Sequence, residues 1–324
     1  MTAFVIRRLL QSVVVMLAMS VIVFAGVFAI GNPVDILINP QADQAEIARA
    51  TAAFGLNKPL WVQYLDFLRQ AAHGDLGRSF VFNEPALSLI LQRLPATLEL
   101  ALSAMLIAVV FGIPLGIWAG MRPDGAAGQA ITAGSILGFS LPTFWVGLML
   151  ILVFAVKLGW LPSTGRGATV RVLGIDTSLF TWDGLRHLVL PATNLALFQL
   201  ALVIRLARAG TREVLLLDYI KFARAKGLGT GRILGVHVLK NILIPIVTVV
   251  GIEFGAVIAF AVVTETIFAW PGMGKLIIDS IGVLDRPVIV AYLVLTVAIV
   301  IAINLAVDLL YAALDPRVRL AEAK

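Results

Sequence analysis

The side chains best placed to do chemistry are polar groups set inside long apolar runs. Glu99, Asn194, Gln199, Glu253, Glu265, Asn304 and Asp308 all sit this way. Leaving such a group in hydrocarbon is costly, so each marks a translocation path, a subunit interface or a contact near a helix end. Glu253 is the most central acid; alone, it would suit a proton site or an interface. Glu99 and Asp308 lie near the ends of their runs, where water or an adjacent Arg can meet them. Other chemistries find no material. There is no cysteine, and the three histidines, His73, His187 and His237, are far apart. That removes thiolate catalysis, disulfides and Cys-ligated metals and argues against a His-rich metal site. A phosphate-binding loop needs G-x-x-x-x-G-K-[ST]. The nearest approach, Gly274-Lys275, has Ala269 at the first glycine place and Leu276 after the lysine. GLGTGR (227–232) fails as a dinucleotide fingerprint, since Arg232 replaces the last glycine and no strand precedes it. The chain lacks an ATP site of its own.

The elements that must position these groups are membrane helices. Hydrophobic residues make up 60% of the 324 and charged residues 14%; soluble domains run near 45–50% and about 25%. Soluble enzymes and disordered chains are excluded. A spanning helix needs about 20 apolar residues, and six runs qualify: Leu9–Ile30, Leu100–Met121, Gly125–Val156, His187–Ile204, Asn241–Thr264 and Pro287–Val307. Gly125–Val156 is long enough to hold a connecting turn plus a span. The first run exceeds a signal-peptide core and no small-residue cleavage site follows, so it reads as an uncleaved anchor. Pro114 and Pro142 fall within spans and predict bends.

Lys and Arg placement sets orientation. Arg7, Arg8, Arg122, the block Arg205–Lys240 and the tail Arg317, Arg319 and Lys324 share one side. That side is the cytoplasm, with both termini in it. Loops 31–93, 157–186 and 269–286 lie outside. The net charge of +6 belongs to these cytoplasmic segments, and no basic–aromatic stripe points to nucleic acid. Within the first outer loop, residues 43–71 have helical periodicity, Pro59 can open a helix, and Leu76–Phe82 reads as an extended piece; together they predict a small external cap. Gly112, Gly116 and Gly120, then Gly134 with Gly138, then Gly251 with Gly255, are spaced by four. Such spacing lets helices approach closely, within the bundle or at a dimer seam.

Residues 211–240, TREVLLLDYIKFARAKGLGTGRILGVHVLK, form the densest signal. A helix-like run, Glu213–Lys226, ends at Gly227, and a second amphipathic run, Arg232–Lys240, follows. Glycines supply the left-handed backbone that ends a helix. The shape is a helix–turn–helix knob whose small residues Ala223, Ala225 and Gly227 would let another protein approach. A solvated basic loop near anionic lipid is the other reading.

This knob resembles the EAA loop of ABC-importer permeases, and DYIKFARAKGL with HVLKNILIP resembles the version in the dipeptide/oligopeptide/nickel permease family. LNKPLWVQYLDFL (56–68), HGDLGRSF (73–80), RLPATLEL (93–100), SLPTFWVGLMLILVFAVKLGWLP (140–162), LRHLVLPA (185–192), ETIFAWPGMGKL (265–276) and VDLLYAALDPRVR (307–319) look like family segments in family order. Lys221, Phe222 and Ala223 stand at the Glu-Ala-Ala places, and His237 and Lys240 replace the later Ile and Pro; Gly227 and Leu239 match. GNPVD (31–35) stands where many relatives resemble PGDP. The resemblance implies an all-α, six-helix type I ABC importer transmembrane domain with cytoplasmic termini in the bacterial inner membrane. Its parts are residues 1–30 as first span, 31–93 as external cap, 94–312 as permease core with coupling loop 211–240, and 313–324 as tail. It implies a pathway shared with a second homologous permease, two ATPase subunits that bind ATP and Mg beneath it, and an external substrate-binding protein. This chain then carries no cofactor and is no enzyme. The implied cargo is a small peptide, with nickel chelates, glutathione or sugars as alternatives. Asp218, Tyr219, Ala223, Arg224, Ala225, Lys226, Gly227 and Leu228 become the ATPase-docking candidates. Glu253, Asn194, Gln199 and Glu265 become the pathway or subunit-interface candidates. A self-sufficient channel or ion-coupled carrier would need none of the docking residues. A membrane-embedded enzyme would need polar catalytic groups clustered at one face, and none appear.

Overall fold

The computed structural model describes residues 2–30, 43–53 and 57–314. GNPVD (31–35) and the tail from Asp315 lie outside the described residues. Helices dominate because apolar segments in lipid must satisfy every backbone group internally. Large apolar side chains therefore point outward: Leu10, Val14, Ile22, Leu102, Leu106 and Phe260 are all exposed.

The described residues fall into two compact units. The first comprises the chain through Ala96 together with Pro271–Ala302. It holds α1 (Thr2–Ile30), α2 (Gln44–Ala53), α3 (Leu60–Ala72), the start of α4 (Ala86–Met121), α11 (Met273–Gly282) and most of α12 (Arg286–Leu314). Pro59 is the N-cap of α3. Tyr64 of α3 shares a 2.9 Å hydrogen bond with Ser20 and packs edge-on against Phe24, 5.3 Å between ring centres. The Leu76–Phe82 segment is extended only in part. It makes a single bridge, Arg78 to Pro85, around a turn. The turn is held by buried Asp285, which accepts hydrogen bonds from the Ser79 hydroxyl and, at 3.1 Å, the Phe80 amide. α4 starts at Ala86, well before the apolar run, because Ile90 and its neighbours continue the helical pattern through Gln92 and Arg93.

The second unit is Thr97–Trp270 with the chain from Ile303. It contains the rest of α4, α5 (Ala126–Ser140), α6 (Thr143–Leu150) with a π-helical continuation (Ile151–Lys157), α7 (Trp182–Leu215), α8 (Asp218–Ala225), α9 (Thr230–Arg232), a second π-helical segment (Ile233–Val238) and α10 (Leu239–Ile267). Five helices among the described residues are long and apolar enough to cross a membrane. The Gly125–Val156 run, expected as a turn plus a span, is divided in the middle. It is two helices, α5 and α6 with its π continuation, meeting at 107°. Pro142 lacks an amide proton and pushes Leu141 into an extended conformation, φ −80° and ψ 137°, so the helix breaks instead of bending. Pro114, by contrast, lies inside unbroken α4.

The glycine spacings resolve differently. On α4, a Cβ at Gly112 would stand 2.8 Å from Val203 Cγ1, and at Gly116 2.5 Å from Ala207 Cβ. One at Gly120 would stand 2.7 Å from Thr211 Cβ. These three seat α4 against α7. A Cβ at Gly251 would meet Val307 at 2.6 Å. Of the α5 pair, Gly134 has nothing within 4 Å among the described residues, while a Cβ at Gly138 would stand 3.8 Å from Leu197 O of α7.

The all-α expectation has one exception. Val170–Val172 and Ile175–Thr177 pair antiparallel as a hairpin, β1 and β2. Its two-residue turn puts Leu173 at φ 50° and Gly174 at φ 84°, both left-handed as a tight hairpin requires.

Candidate functional site

Two polar assemblies emerge within the second unit. The first is the loop after α7. The helical run of Glu213–Lys226 is interrupted: α7 stops at Leu215, Leu217 turns extended at ψ 145°, and α8 starts at Asp218. The interruption lets α8 change direction and bury its own apolar face. Ile220 points into a core of Val214, Ile233, Val238 and Ile242, and Ala223 is also buried. Ala223 therefore serves internal packing and offers no side chain to a partner. Arg232–Lys240 is likewise no separate amphipathic helix. It continues through the π segment into α10, making one 38-residue rod from Thr230 to Ile267.

α8 ends in a Schellman motif. The Gly227 amide donates to Arg224 O at 2.9 Å and the Leu228 amide to Ala223 O at 3.2 Å. Gly227 has φ 80°, the left-handed position this motif requires. Leu228 tucks partly under, against the Ile220 core. Asp218, Tyr219, Arg224, Ala225, Lys226 and Gly227 remain exposed. The backing is specific: Asn241 Nδ2 donates to Tyr219 Oη at 3.0 Å, and Lys221 pairs with Asp218 at 2.8 Å. Sequence reasoning missed the most prominent outward groups. Phe222 is 61% exposed and Leu216 74% exposed. Phe222 also carries the Lys226 ammonium 4.6 Å from its ring centre. A lone Phe in a charged helix beside a Gly stop was the available signal. An amphipathic helix with a buried back and an apolar–cationic front can seat in another protein's groove.

The second assembly joins helices at depth. Asn194 Nδ2 donates to Thr264 Oγ1 at 3.0 Å, tying α7 to α10, while Asn194 Oδ1 is buried without a partner. Gln199 Nε2 donates to Glu253 Oε2 at 3.4 Å between the same helices. Thr97 Oγ1 donates to Glu265 Oε1 at 2.6 Å, tying α4 to α10. Asn194 and Glu265 are fully buried, whereas Glu253 is only half-buried. Glu99 neither meets water nor an Arg near it in sequence. It is buried, bonded to Arg166 of the outer loop and to the Ser178 hydroxyl and amide. Arg166 also donates to Asp176 O at 2.7 Å and lies over the Trp270 ring. The hairpin is thus pinned to the start of this α4 segment. Only the burial of Glu99 hinted that a distant cation was needed.

Comparison with known proteins gives one answer across the whole length. Residues 112–320 match the family described as binding-protein-dependent transport system inner membrane component, and residues 1–101 match its N-terminal counterpart. The di/tripeptide transport system permease protein DppB of Pseudomonas aeruginosa is 40% identical over 98% of this chain and 99% of its own. The oligopeptide transport system permease protein AppB of Bacillus subtilis is 39% identical with the same coverage. The dipeptide transport system permease protein DppB of Escherichia coli K12 is 37% identical, again over 98% and 99%. Among solved structures, a chain of the MetNI methionine ABC transporter in an inward-facing conformation matches with a TM-score of 0.52. The match has 18% identity and covers 70% of this chain and 96% of that one.

Proposed function

The chain belongs to the family of binding-protein-dependent transport system inner membrane components, and from that premise we propose that it is the membrane permease of an ABC importer for di- or oligopeptides. It is an inner-membrane protein and acts as a permease, not as an enzyme. Together with a second, homologous permease it encloses the pathway. Two ATPase subunits bind and hydrolyse ATP with Mg beneath it, and an external binding protein delivers cargo. The peptide assignment rests on the relatives, all three of which are named for peptide transport.

The observation that carries the mechanism is α8: a short helix with its back in the core, its front exposed and its end set by Gly227. Asp218, Tyr219, Phe222, Arg224, Ala225, Lys226 and Gly227 form the face that seats in an ATPase cleft. Closing the ATPase pair on ATP moves this face. α7, packed on α4 through the three glycines, carries that movement into the bundle as rigid-body rotation. The polar ties between α7 and α10, Asn194–Thr264 and Gln199–Glu253, lie on that route. Glu253, the half-buried member, is the group best placed to face the pathway or the second permease.

Gly227→Asp tests the coupling role. Asp is strained at φ 80° and puts a charge on the docking face. The variant is expected to insert and assemble, yet to lose peptide-dependent ATP hydrolysis and uptake in proteoliposomes containing the partner subunits. Normal uptake by a well-expressed variant would remove the docking assignment.

A further inference from the structure

The ends of α4 and α7 and the beginning of α9 enclose a cavity of about 420 Å³. Trp118 of α4 and Arg122 just beyond its end line it on one side, Arg224 of α8 and Thr230 of α9 on another, and Leu228 and Ile233 close its wall. Among the described residues, no carboxylate lines it. The Arg122 guanidinium carbon stands 6.0 Å from the Trp118 ring centre. The cavity is thus both cationic and apolar, a combination that suits a phosphate carrying hydrocarbon.

A second observation says where the hydrocarbon lies. Leu102, Leu106, Val110, Leu115 and Trp118 are exposed along α4 at helical spacing, and Arg122 follows one turn later. From Leu102 to Arg122 the helix rises about 30 Å, close to the roughly 30 Å hydrocarbon thickness of a bilayer. The stripe matches the apolar layer in length and ends in a Trp and an Arg, the residues that favour its polar boundary. The opposite face of α4 is filled by α7 through Gly112, Gly116 and Gly120, so the stripe looks away from the bundle core.

We propose that this cavity binds the headgroup phosphate of an anionic phospholipid. Arg122, Arg224 and Thr230 hold the phosphate, and the acyl chains lie along the Leu102–Trp118 stripe. The ligand bridges α4 to the coupling helix, so membrane charge sets how firmly α8 is held. The site goes beyond the docking reading; it shares Arg224 with the docking face, whereas Arg122 and Trp118 have no part in that face.

The test is native mass spectrometry of the transporter, purified with its partner subunits in mild detergent. The complex is incubated with equal phosphatidylglycerol and phosphatidylcholine of matched chains. The wild-type complex is expected to retain phosphatidylglycerol over phosphatidylcholine by at least about fivefold, the scale of a single basic residue at an anionic surface. Arg122→Gln with Arg224→Gln should bring the ratio near parity, while Arg122→Lys and the exposed control Arg212→Gln should keep it. If the double variant fails to assemble, Arg122→Glu alone reads the same loss. Equal retention of both lipids by wild type, or an unchanged ratio in the double variant, overturns the proposal. Displacement by millimolar inorganic phosphate, which would mark a free-phosphate pocket, overturns it too. So does lipid binding seen only after the ATPases are stripped away, which would mark a partner's surface. Co-purification of the ATPases is scored separately, so loss of docking is distinguishable from loss of lipid.

Discussion

α8 and α10 stop by the same pair of hydrogen bonds, yet they use opposite residues to do it. At α8 the left-handed residue is Gly227; at α10 it is Ala269, with φ 46°. There Ala269 N donates to Thr266 O at 3.3 Å and Trp270 N to Glu265 O at 2.8 Å. A left-handed non-glycine costs about 1 kcal/mol or more. The α10 stop can bear that cost because Trp270 is wholly buried beneath Arg166, which Glu99 and Asp176 hold in place. The α8 stop has only half-buried Leu228 as its anchor and uses the residue that needs no compensation. One end secures its shape with its own contacts. The other keeps its contacts few and its outer face exposed.

The comparison can be broken most forcefully at Glu99. Glu99→Ala leaves the mostly buried Arg166 guanidinium without its carboxylate, with only Asp176 O still accepting from it, a loss of about 3 kcal/mol. It should lower the thermal midpoint in detergent sharply and weaken amide-exchange protection across residues 165–178. An unchanged midpoint would mean that the α10 stop does not depend on the Arg166 clamp. Gly227→Ala should cost about 1 kcal/mol by the same measure, from strain at the left-handed position. Ala269→Gly should run the other way, raising stability by about 0.5–1 kcal/mol as strain is relieved; a decrease would show that Ala269 is not strained. Phe222→Ala is the smallest for the isolated chain, within about 0.5 kcal/mol, since surface side chains contribute little. Its effect should appear instead as a loss of ATPase co-purification. A large fall in chain stability with docking intact would reverse the roles assigned to the two ends.

Long-range composition made the membrane class, five spans and the Gly227 turn readable, because apolar length and a glycine stop act locally. The Gly112–Gly116–Gly120 spacing announced a close helix contact, but which helix it meets depends on tertiary packing. What escaped was set by non-local partners or by single-residue backbone choices. Arg166 is one of several loop arginines until the fold brings it to Glu99. Leu216 and Leu217 look like helix formers, and only the burial of Ile220 and Ala223 explains why the helix breaks there. The β1–β2 hairpin hides because Leu173 stands where Asn is the usual signal. Pro142 was visible as a disturbance, but its effect, a 107° corner, was not.

α7 runs unbroken from Trp182 to Leu215, 34 residues. At 1.5 Å per residue that is a rod of about 51 Å, against a hydrocarbon layer of roughly 30 Å. A rod of that length multiplies angle into distance: a pivot of about 10° at one end sweeps the other through about 9 Å. α8 hangs from its Leu215 end by two residues. In the proposed coupling, a modest stroke there becomes a small rotation at the opposite end, trading travel at the base for force at the mouth.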